Sequence, residues 1–186
     1  MGFTLVAVAV GLILGLGAGG RPRFVADHPI RGVGLLVGGL LLQVLATLIN
    51  LGGAANLAIL GSYALLVAFA VVNVRLVGMA IVTVGLAANF GVIAVNSGMP
   101  VRAQSIVSAG ATPSEVPHLH YGSKRHLERP SDRLTFLADV VPVRPLHEVV
   151  SFGDLVMAVG VADVIFHLLQ RRKGLAVPGP AEVSEA

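Results

Sequence analysis

Long apolar runs separated by short polar breaks make up most of the chain. Five of these runs are long enough to cross a hydrocarbon layer of about 30 Å as helices, at about 1.5 Å per residue. They cover residues 2–18, 32–49, 54–74, 76–95 and 152–169. Membrane β-barrels use alternating segments of about ten residues, whereas these runs are continuous and roughly twice as long. The pattern therefore predicts five transmembrane helices.

The segment 96–150 breaks this pattern because it mixes turn-forming residues with short apolar stretches. Val101–Ala109 is typical of a short helix that ends at Gly110, and Ser131–Val141 suits a helical turn or a strand on the membrane surface. A long helix is excluded by the prolines at positions 113, 117 and 130. We expect this segment to form a loop-rich cap over the helix ends.

The composition supports a membrane protein. Of the 186 residues, 55% are hydrophobic and only 12% are charged, with a mean hydropathy of +0.84. Soluble domains carry about 25% charged residues. The fold class predicted is an all-α, polytopic transmembrane helical bundle with five spans and an extracytoplasmic cap between spans four and five. The absence of cysteine excludes disulfides, thiolate catalysis and cysteine metal sites.

Basic residues set the predicted orientation. Seven of them flank the runs on one side: Arg21, Arg23, Arg31, Arg75, Arg171, Arg172 and Lys173. Because Lys and Arg accumulate on the cytoplasmic side, we predict a multi-pass protein of the cell (plasma or inner) membrane with its N-terminus out and its C-terminus in. Residues 1–173 are then the membrane domain and residues 174–186 a disordered cytoplasmic tail. The net charge of +3 lies at predicted membrane edges and does not indicate nucleic-acid binding.

Glycines at four-residue spacing predict close helix packing. Gly11, Gly15 and Gly19 lie on one helical face, and Gly34 and Gly38 lie on another. Small residues at this spacing let two backbones approach closely in lipid. We expect these faces to pack within the bundle, with a homodimer face as the alternative.

The last run opens with a capping box. The Ser151 side chain is placed to accept from the amide of Asp154, whose carboxylate is placed to accept from the amide of Ser151. Val150 and Leu155 occupy the positions of a hydrophobic staple. A structural role explains Asp154 without catalysis.

Asp163 is an acidic residue well inside a predicted span. It lies eight residues before Arg171, about 12 Å from the inner edge, with His167 one turn further on the same face. Thr83 falls at the same depth on the fourth run. These three residues form either a buried polar contact between two spans or a proton or ion relay.

A second polar layer follows from the same depth count. Gln43, Tyr63 and Asn89 each lie about 18–21 Å from the inner edge. They either line one polar cavity or join helices through single hydrogen bonds of about 0.6 kcal/mol each.

Histidines supply the candidate metal ligands in the cap. His118, His120 and His126 lie close in sequence, and imidazole suits zinc or copper. The alternatives are a solvated loop or a site for anionic headgroups, because Lys124 and Arg125 lie beside them. We therefore expect no bound metal and no other cofactor.

Several motifs in order carry a resemblance to a known family. The motifs run from Asn73 through Asn89, Asn96-Ser97-Gly98-Met99-Pro100 and Asp139 to Ser151-Phe152-Gly153-Asp154. This pattern resembles a bacterial domain-of-unknown-function family of small polytopic membrane proteins. The resemblance implies no activity, but it implies that these residues belong to one shared construction: Asn73, Asn96, Met99, Pro100, Asp139, Ser151 and Asp154.

Three functional hypotheses remain. The favoured one is a non-enzymatic membrane component that binds membrane lipid or a protein partner through the cap. An alternative is a small oligomeric transporter or proton-coupled permease that uses Asp163 and His167. The third is a membrane metalloenzyme built on the cap histidines.

Overall fold

A computed structural model describes residues 2–49, 54–119, 121–122 and 124–171. Each of the five apolar runs forms a helix, because backbone groups in an apolar run are satisfied within a helix. The helices are α1 (Gly2–Gly17), α2 (Val33–Leu48), α3 (Ala55–Val72), α4 (Met79–Asn96) and, after the cap, α6 (Phe152–Leu169). The predicted tail, residues 174–186, lies outside the described residues.

Length separates the five helices into two groups. The 18-residue helices α3, α4 and α6 are long and apolar enough to cross a membrane. The helices α1 and α2 have 16 residues each and are shorter apolar helices. The described part of the chain therefore contains three candidate spans, and the predicted number of five is not supported by helix length.

These five helices pack side by side in the order α2, α3, α4, α6, α1. Where α1 and α6 end, the amide of Arg21 donates to the carbonyl of Leu169 over 2.8 Å. Gln170 donates to the carbonyl of Gly15 at the same end. At the opposite end, the amides of Gly2 and Phe3 donate to the Glu148 carboxylate. The first and last helices are therefore parallel, and the cap lies at the end where both begin.

Four glycines bring α4 and α6 into backbone contact. A Cβ atom on Gly85 would lie 2.6 Å from the Gly153 carbonyl oxygen, and one on Gly160 would lie 2.6 Å from the amide of Val82. Gly78 similarly faces the backbone of Val164. We call Gly78, Gly85, Gly153 and Gly160 the glycine seam. At each of these positions the backbones of the two segments approach within the space that a Cβ would need.

The predicted glycine faces have different outcomes. Gly11 and Gly15 pack closely on α6, since a Cβ on Gly11 would lie 2.7 Å from the carbonyl oxygen of Ala162. Gly34 has nothing within 4 Å, and Gly38 meets only the side chain of Leu65 at 3.7 Å. Gly11 and Gly15 confirm intramolecular packing, whereas Gly19 and Gly34 have nothing within 4 Å and do not contribute to it.

The cap contains a small sheet, so the fold is not strictly all-α. Strands β1 (Met99–Val101), β2 (Arg125–Leu127), β3 (Asp139–Val143) and β4 (Glu148–Ser151) pair in the order β2-β1-β3-β4. Both neighbours of β1 run parallel to it, and β3 and β4 form an antiparallel pair. Strands of three to five residues carry too little periodicity to be recognised individually.

The remaining regular elements outside the bundle are short helices. The predicted short helix is present as α5 (Ala103–Ala109), and Gly110 ends it with φ +124°. Three-residue 3₁₀ helices cover Val116–His118, Thr135–Leu137 and Arg144–Leu146. A longer one, Pro22–Asp27, joins α1 to α2 at the far end of the bundle.

Two hydrophobic cores meet at the base of the cap. The bundle core is centred on Ile59, Leu66 and Ile93, and it extends into the cap through Met99 and Ala138. A separate cap core contains Val101, Ile106, Ala109, Val116 and Val149. Because β1 contributes Met99 to one core and Val101 to the other, the cap is packed directly onto the helices.

Two buried asparagines tie loops to helix ends in the same way. The Asn73 side chain accepts from the amide of Arg31 over 2.8 Å and donates to the carbonyl of Arg31 over 2.7 Å. Asn96 makes the same pair of bonds with the backbone of Arg133, at 2.7 and 2.8 Å. We call these contacts the asparagine bridges. Each uses both ends of the amide, so it fixes the loop in position and orientation.

Candidate functional site

The capping box at the start of α6 is formed, and a third residue extends it. The amide of Asp154 donates to the Ser151 hydroxyl oxygen over 2.9 Å, and the amide of Ser151 donates to the Asp154 carboxylate over 3.2 Å. Asn89 of α4 donates to the other Asp154 oxygen and accepts from the Ser151 hydroxyl, each over 2.8 Å. Gly153 makes this possible, because a Cβ there would collide with the Asn89 side chain.

Asp139 lies next to this network and is the buried acid of the cap. Its side chain is 1% exposed, at the first position of β3. Arg125 places its Nε 2.8 Å from Oδ2 of Asp139, which makes an ion pair. Oδ2 nevertheless has no hydrogen bond of acceptable geometry within the described residues. An incompletely satisfied buried carboxylate destabilises a fold by about 1–3 kcal/mol, so its presence requires an explanation.

A small cavity connects these groups. It has a volume of about 20 Å³ and lies where β1 and β3 meet the ends of the helices. A cavity of this size holds about one water molecule. It is lined by Tyr63, Asn89, Ile93, Met99, Lys124, Arg125, Asp139 and Asp154. We call the polar members of this set, with Ser151, the sub-cap site.

Burial controls the ionisation of the cap residues in the site. Burial, assisted by the nearby Asp154 carboxylate, raises the pKa of Asp139 from 3.8 to about 7 against the opposing effects of Arg125 and Lys124. Burial also lowers the pKa of Lys124, and the positive charge of Arg125 adds to this effect. The site therefore disfavours isolated charge of either sign.

Asp163 and His167 lie elsewhere, on the part of α6 remote from the cap. Nδ1 of His167 is 3.2 Å from the Asp163 carboxylate and 2.9 Å from the Asp163 carbonyl oxygen. Thr83 donates its hydroxyl to the carbonyl of Met79 in its own helix. The glycine seam lies between this pair and the sub-cap site, so close backbone packing separates the two polar groups.

The polar layer expected from the depth count is divided. Tyr63 and Asn89 line the cavity together. Gln43 is half-buried in α2 and is not among the lining residues; its carbonyl accepts from Thr47. In α2, Gln43 belongs to an outer helix that packs mainly on α3.

The candidate metal ligands in the described part of the cap do not form a metal site. His118 is exposed, and Nε2 of His126 is 3.1 Å from the Asp132 carboxylate. His120 lies outside the described residues. Among the residues that the structure describes, no group of three His, Cys, Asp or Glu side chains is arranged to hold a metal ion.

The remaining motif residues build the frame of the site. Met99 and Pro100 are buried in β1, and the Asn73 and Asn96 bridges close the two ends of the bundle. Sequence reasoning missed Lys124 and Arg125 as members of the site. The signal that could have found them is Asp139, which lies inside the apolar stretch Leu137–Val141. A buried carboxylate requires a cation close by, so a Lys or Arg of the cap was to be expected beside it.

Comparison with known protein families gives a match over most of the chain. A model described as a family of unknown function (DUF5317) covers residues 27–166. This range includes every residue of the sub-cap site. Neither a curated protein nor a solved structure matches the chain.

Proposed function

The chain belongs to the family of unknown function DUF5317, and we propose that it is a multi-pass, non-enzymatic component of a bacterial inner membrane. In this proposal α1 to α4 and α6 all cross the bilayer, with the N-terminus and the cap outside. The outer helices expose large apolar side chains, such as Leu5 at 67% and Leu48 at 77%. Arg21, Arg31 and Arg75 lie at the end opposite the cap, as the positive-inside rule requires.

Cysteine accessibility tests this topology without background, because the chain has no cysteine. Ser114→Cys places a thiol in the exposed part of the cap, and Ala26→Cys places one in the loop between α1 and α2. A membrane-impermeant maleimide is expected to label position 114 in intact cells and position 26 only after permeabilisation. The reverse pattern would overturn the orientation, and labelling of both positions in intact cells would overturn the five-span arrangement.

We further propose that the cap has a seated state, packed on the helices as in this structure, and a displaced state. In this proposal Asp139 binds the proton that favours the seated state. The observation that carries this proposal is the Asp139 carboxylate: buried, ion-paired, without a hydrogen bond at Oδ2, and beside a water-sized cavity. Four elements face it, through Arg125 and Lys124 of the cap, Tyr63 of α3, Asn89 of α4 and Asp154 of α6. A seated cap buries this acid, whereas a displaced cap exposes it to water.

The direction of the effect follows from the pKa of Asp139. In the seated state the pKa is about 7, and in a solvated state it is close to 3.8. Between these values the seated cap holds a proton that the displaced cap has lost, so acid favours seating and alkali weakens it. The cap would then offer a lipid or protein partner a surface whose position depends on the external pH.

Hydrogen exchange in mild detergent tests this proposal. Peptides covering β2 and β3 are expected to be better protected at a pH of about 5 than at about 8, after correction for intrinsic exchange rates. Asp139→Asn, a neutral side chain of the same shape, is expected to keep the protection at both pH values. Glu115→Gln removes an exposed acid of the cap and serves as the matched control. Protection in the natural sequence that does not depend on pH would overturn the proposal.

The transporter hypothesis draws less support from the geometry. Asp163 and His167 pair with each other within one helix, and the glycine seam separates them from the sub-cap site. A polar path along α4 and α6 would have to pass through this close backbone contact. We therefore favour a binding component, alone or as a homo-oligomer, over a permease.

A further inference from the structure

One loop of the cap exposes large apolar side chains at the level of the helix ends. Phe136 is 66% exposed and Leu134 is 42% exposed. Leu134 also has left-handed backbone angles, with φ +54°. A branched side chain in this conformation costs about 1–2 kcal/mol. Both features are unfavourable for a loop surrounded only by water.

The fold holds this loop in place despite these costs. Asn96, the last residue of α4, binds the amide and carbonyl of Arg133, the residue before Leu134. On the other side, Leu137 packs against the bundle core. The turn at Leu134 lets Leu137 point inward while Phe136 points outward. The exposure of Phe136 is therefore imposed by two fixed neighbours.

The loop continues an apolar surface of the bundle. Its 3₁₀ helix, Thr135–Leu137, contacts both α4 and α6. Along α4 the exposed positions include Val84 near the middle and Val95 in the last turn. In a membrane-spanning bundle this face of α4 is covered by lipid acyl chains, and its upper end reaches the headgroup region beside the loop.

We propose that Leu134 and Phe136 insert into the interfacial layer of the leaflet next to the cap, and that the Arg133 side chain binds a phospholipid phosphate there. Phe and Leu side chains of interfacial segments lie at the boundary of headgroups and acyl chains, where burial removes their apolar surface from water. Arg133 is exposed and uses only its backbone in the asparagine bridge, so its guanidinium is available for a phosphate. This inference rests on the proposed membrane-spanning bundle but not on proton-linked seating.

Tryptophan fluorescence tests the insertion, because the chain has no tryptophan of its own. Phe136→Trp is reconstituted in phosphatidylcholine–phosphatidylglycerol vesicles whose acyl chains carry bromine near the headgroup. We expect this bromine to quench the emission, because a Trp ring in this loop would lie at headgroup level. Bromine placed near the chain ends should quench it much less.

Two further tryptophan variants serve as controls. Val84→Trp, on the exposed face of α4, should be quenched most by the deep bromine. Leu119→Trp, on an exposed turn next to the cap core, should be quenched by neither. Quenching of the Val84→Trp variant without quenching of the Phe136→Trp variant would overturn the inference and leave the spanning bundle intact. If the Val84→Trp variant is not quenched either, the membrane-spanning proposal itself fails.

The role of Arg133 is tested separately. In the Phe136→Trp background, a rising fraction of phosphatidylglycerol should draw the ring deeper and shift its emission to shorter wavelength. Arg133→Gln is expected to abolish this dependence while it keeps the asparagine bridge. An unchanged dependence on phosphatidylglycerol would overturn the phosphate contact.

Discussion

The helix α6 carries two acidic residues that differ in every structural respect. Asp154, at the cap end, is bonded to Ser151 in its own cap and to Asn89 in another helix, and it lines a cavity shared with the sheet. Asp163, nine residues later, is a third exposed and pairs with His167 one turn away. The first residue is bonded to another helix, whereas the second has its polar partner in its own helix and lies against the backbone at Gly78.

This difference identifies where the fold concentrates polar chemistry. Three helices and three cap segments contribute to the sub-cap site, so any change in cap position alters it. The Asp163–His167 pair would survive such a change, because the spacing of four residues is a property of the helix. A polar group that responds to cap movement is therefore expected at Asp139 and Asp154 but not at Asp163.

The largest expected effect on stability comes from opening the glycine seam, which lies between the sub-cap site and the Asp163–His167 pair. A Cβ on Gly85 meets the backbone of Gly153 and Met157 at 2.6–2.7 Å, so Gly85→Ala must push α4 and α6 apart. We expect a loss of about 3 kcal/mol in the free energy of unfolding, the upper end for an overpacked core. Gly91→Ala is the control in the same helix, since Gly91 has nothing within 4 Å. Denaturant titration in detergent, followed by circular dichroism, measures both, and equal losses would contradict this account.

A smaller effect is expected when the network at the cap end is broken. Asn89→Ala removes one partner from the Asp154 carboxylate and one from the Ser151 hydroxyl. We expect a loss of about 2 kcal/mol in the same titration, because buried polar groups are left without hydrogen bonds. Ser62→Ala offers a control at a second buried polar position, where only one bond within α3 is lost. A smaller loss for Asn89→Ala than for Ser62→Ala would refute the central role of the network.

The pH dependence of stability sharpens the comparison further. Because folding raises the pKa of Asp139 from 3.8 to about 7, the free energy of unfolding should fall as the pH rises through this window. The slope is at most about 1.4 kcal/mol per pH unit for one proton. Asp139→Asn should remove this slope and Asp163→Asn should keep it. A slope that survives Asp139→Asn would assign the proton to another group.

The smallest effect on the free energy of unfolding is expected at Asp163. Asp163→Asn leaves a hydrogen-bonding side chain at a partly exposed position, and the His167 bond to the Asp163 carbonyl oxygen remains. We expect a change of less than about 1 kcal/mol, as for other exposed ion pairs. A loss as large as that of Asn89→Ala would show that the two acids are equally embedded in the fold.

Much of the helical framework could be predicted because its signal is local. The fifth apolar run, 152–169, has the same bounds as α6, and the glycine spacing predicted close packing at Gly11 and Gly15, although not which helix they contact. The capping box was also readable, since it needs only residues three positions apart. Some helices were predicted too long because a polar residue turns the chain at their ends. The third predicted run continues to residue 74, whereas α3 ends at Val72, before Asn73.

The sheet and the site depend on contacts between distant residues. Met99 pairs with Arg125, and Val101 pairs with Asp139, across intervals that no periodic pattern spans. Tyr63, Asn89, Asp139 and Asp154 each stand out in the sequence for separate reasons, but their meeting point is a result of this pairing. Lys124 and Arg125 have no distinguishing local context in a segment that contains other basic residues.

The parallel arrangement of α1 and α6 has a consequence for biogenesis. The main neighbour of α1 in the bundle is α6, which follows the cap in the sequence. Until the ribosome has delivered α6, α1 therefore lacks the helix on which it mainly packs. During assembly α6 has to pack between α4 and α1, and glycines line both contacts. This row of helices is therefore completed from its interior, and a nascent chain that stops before α6 leaves α1 without its main neighbour.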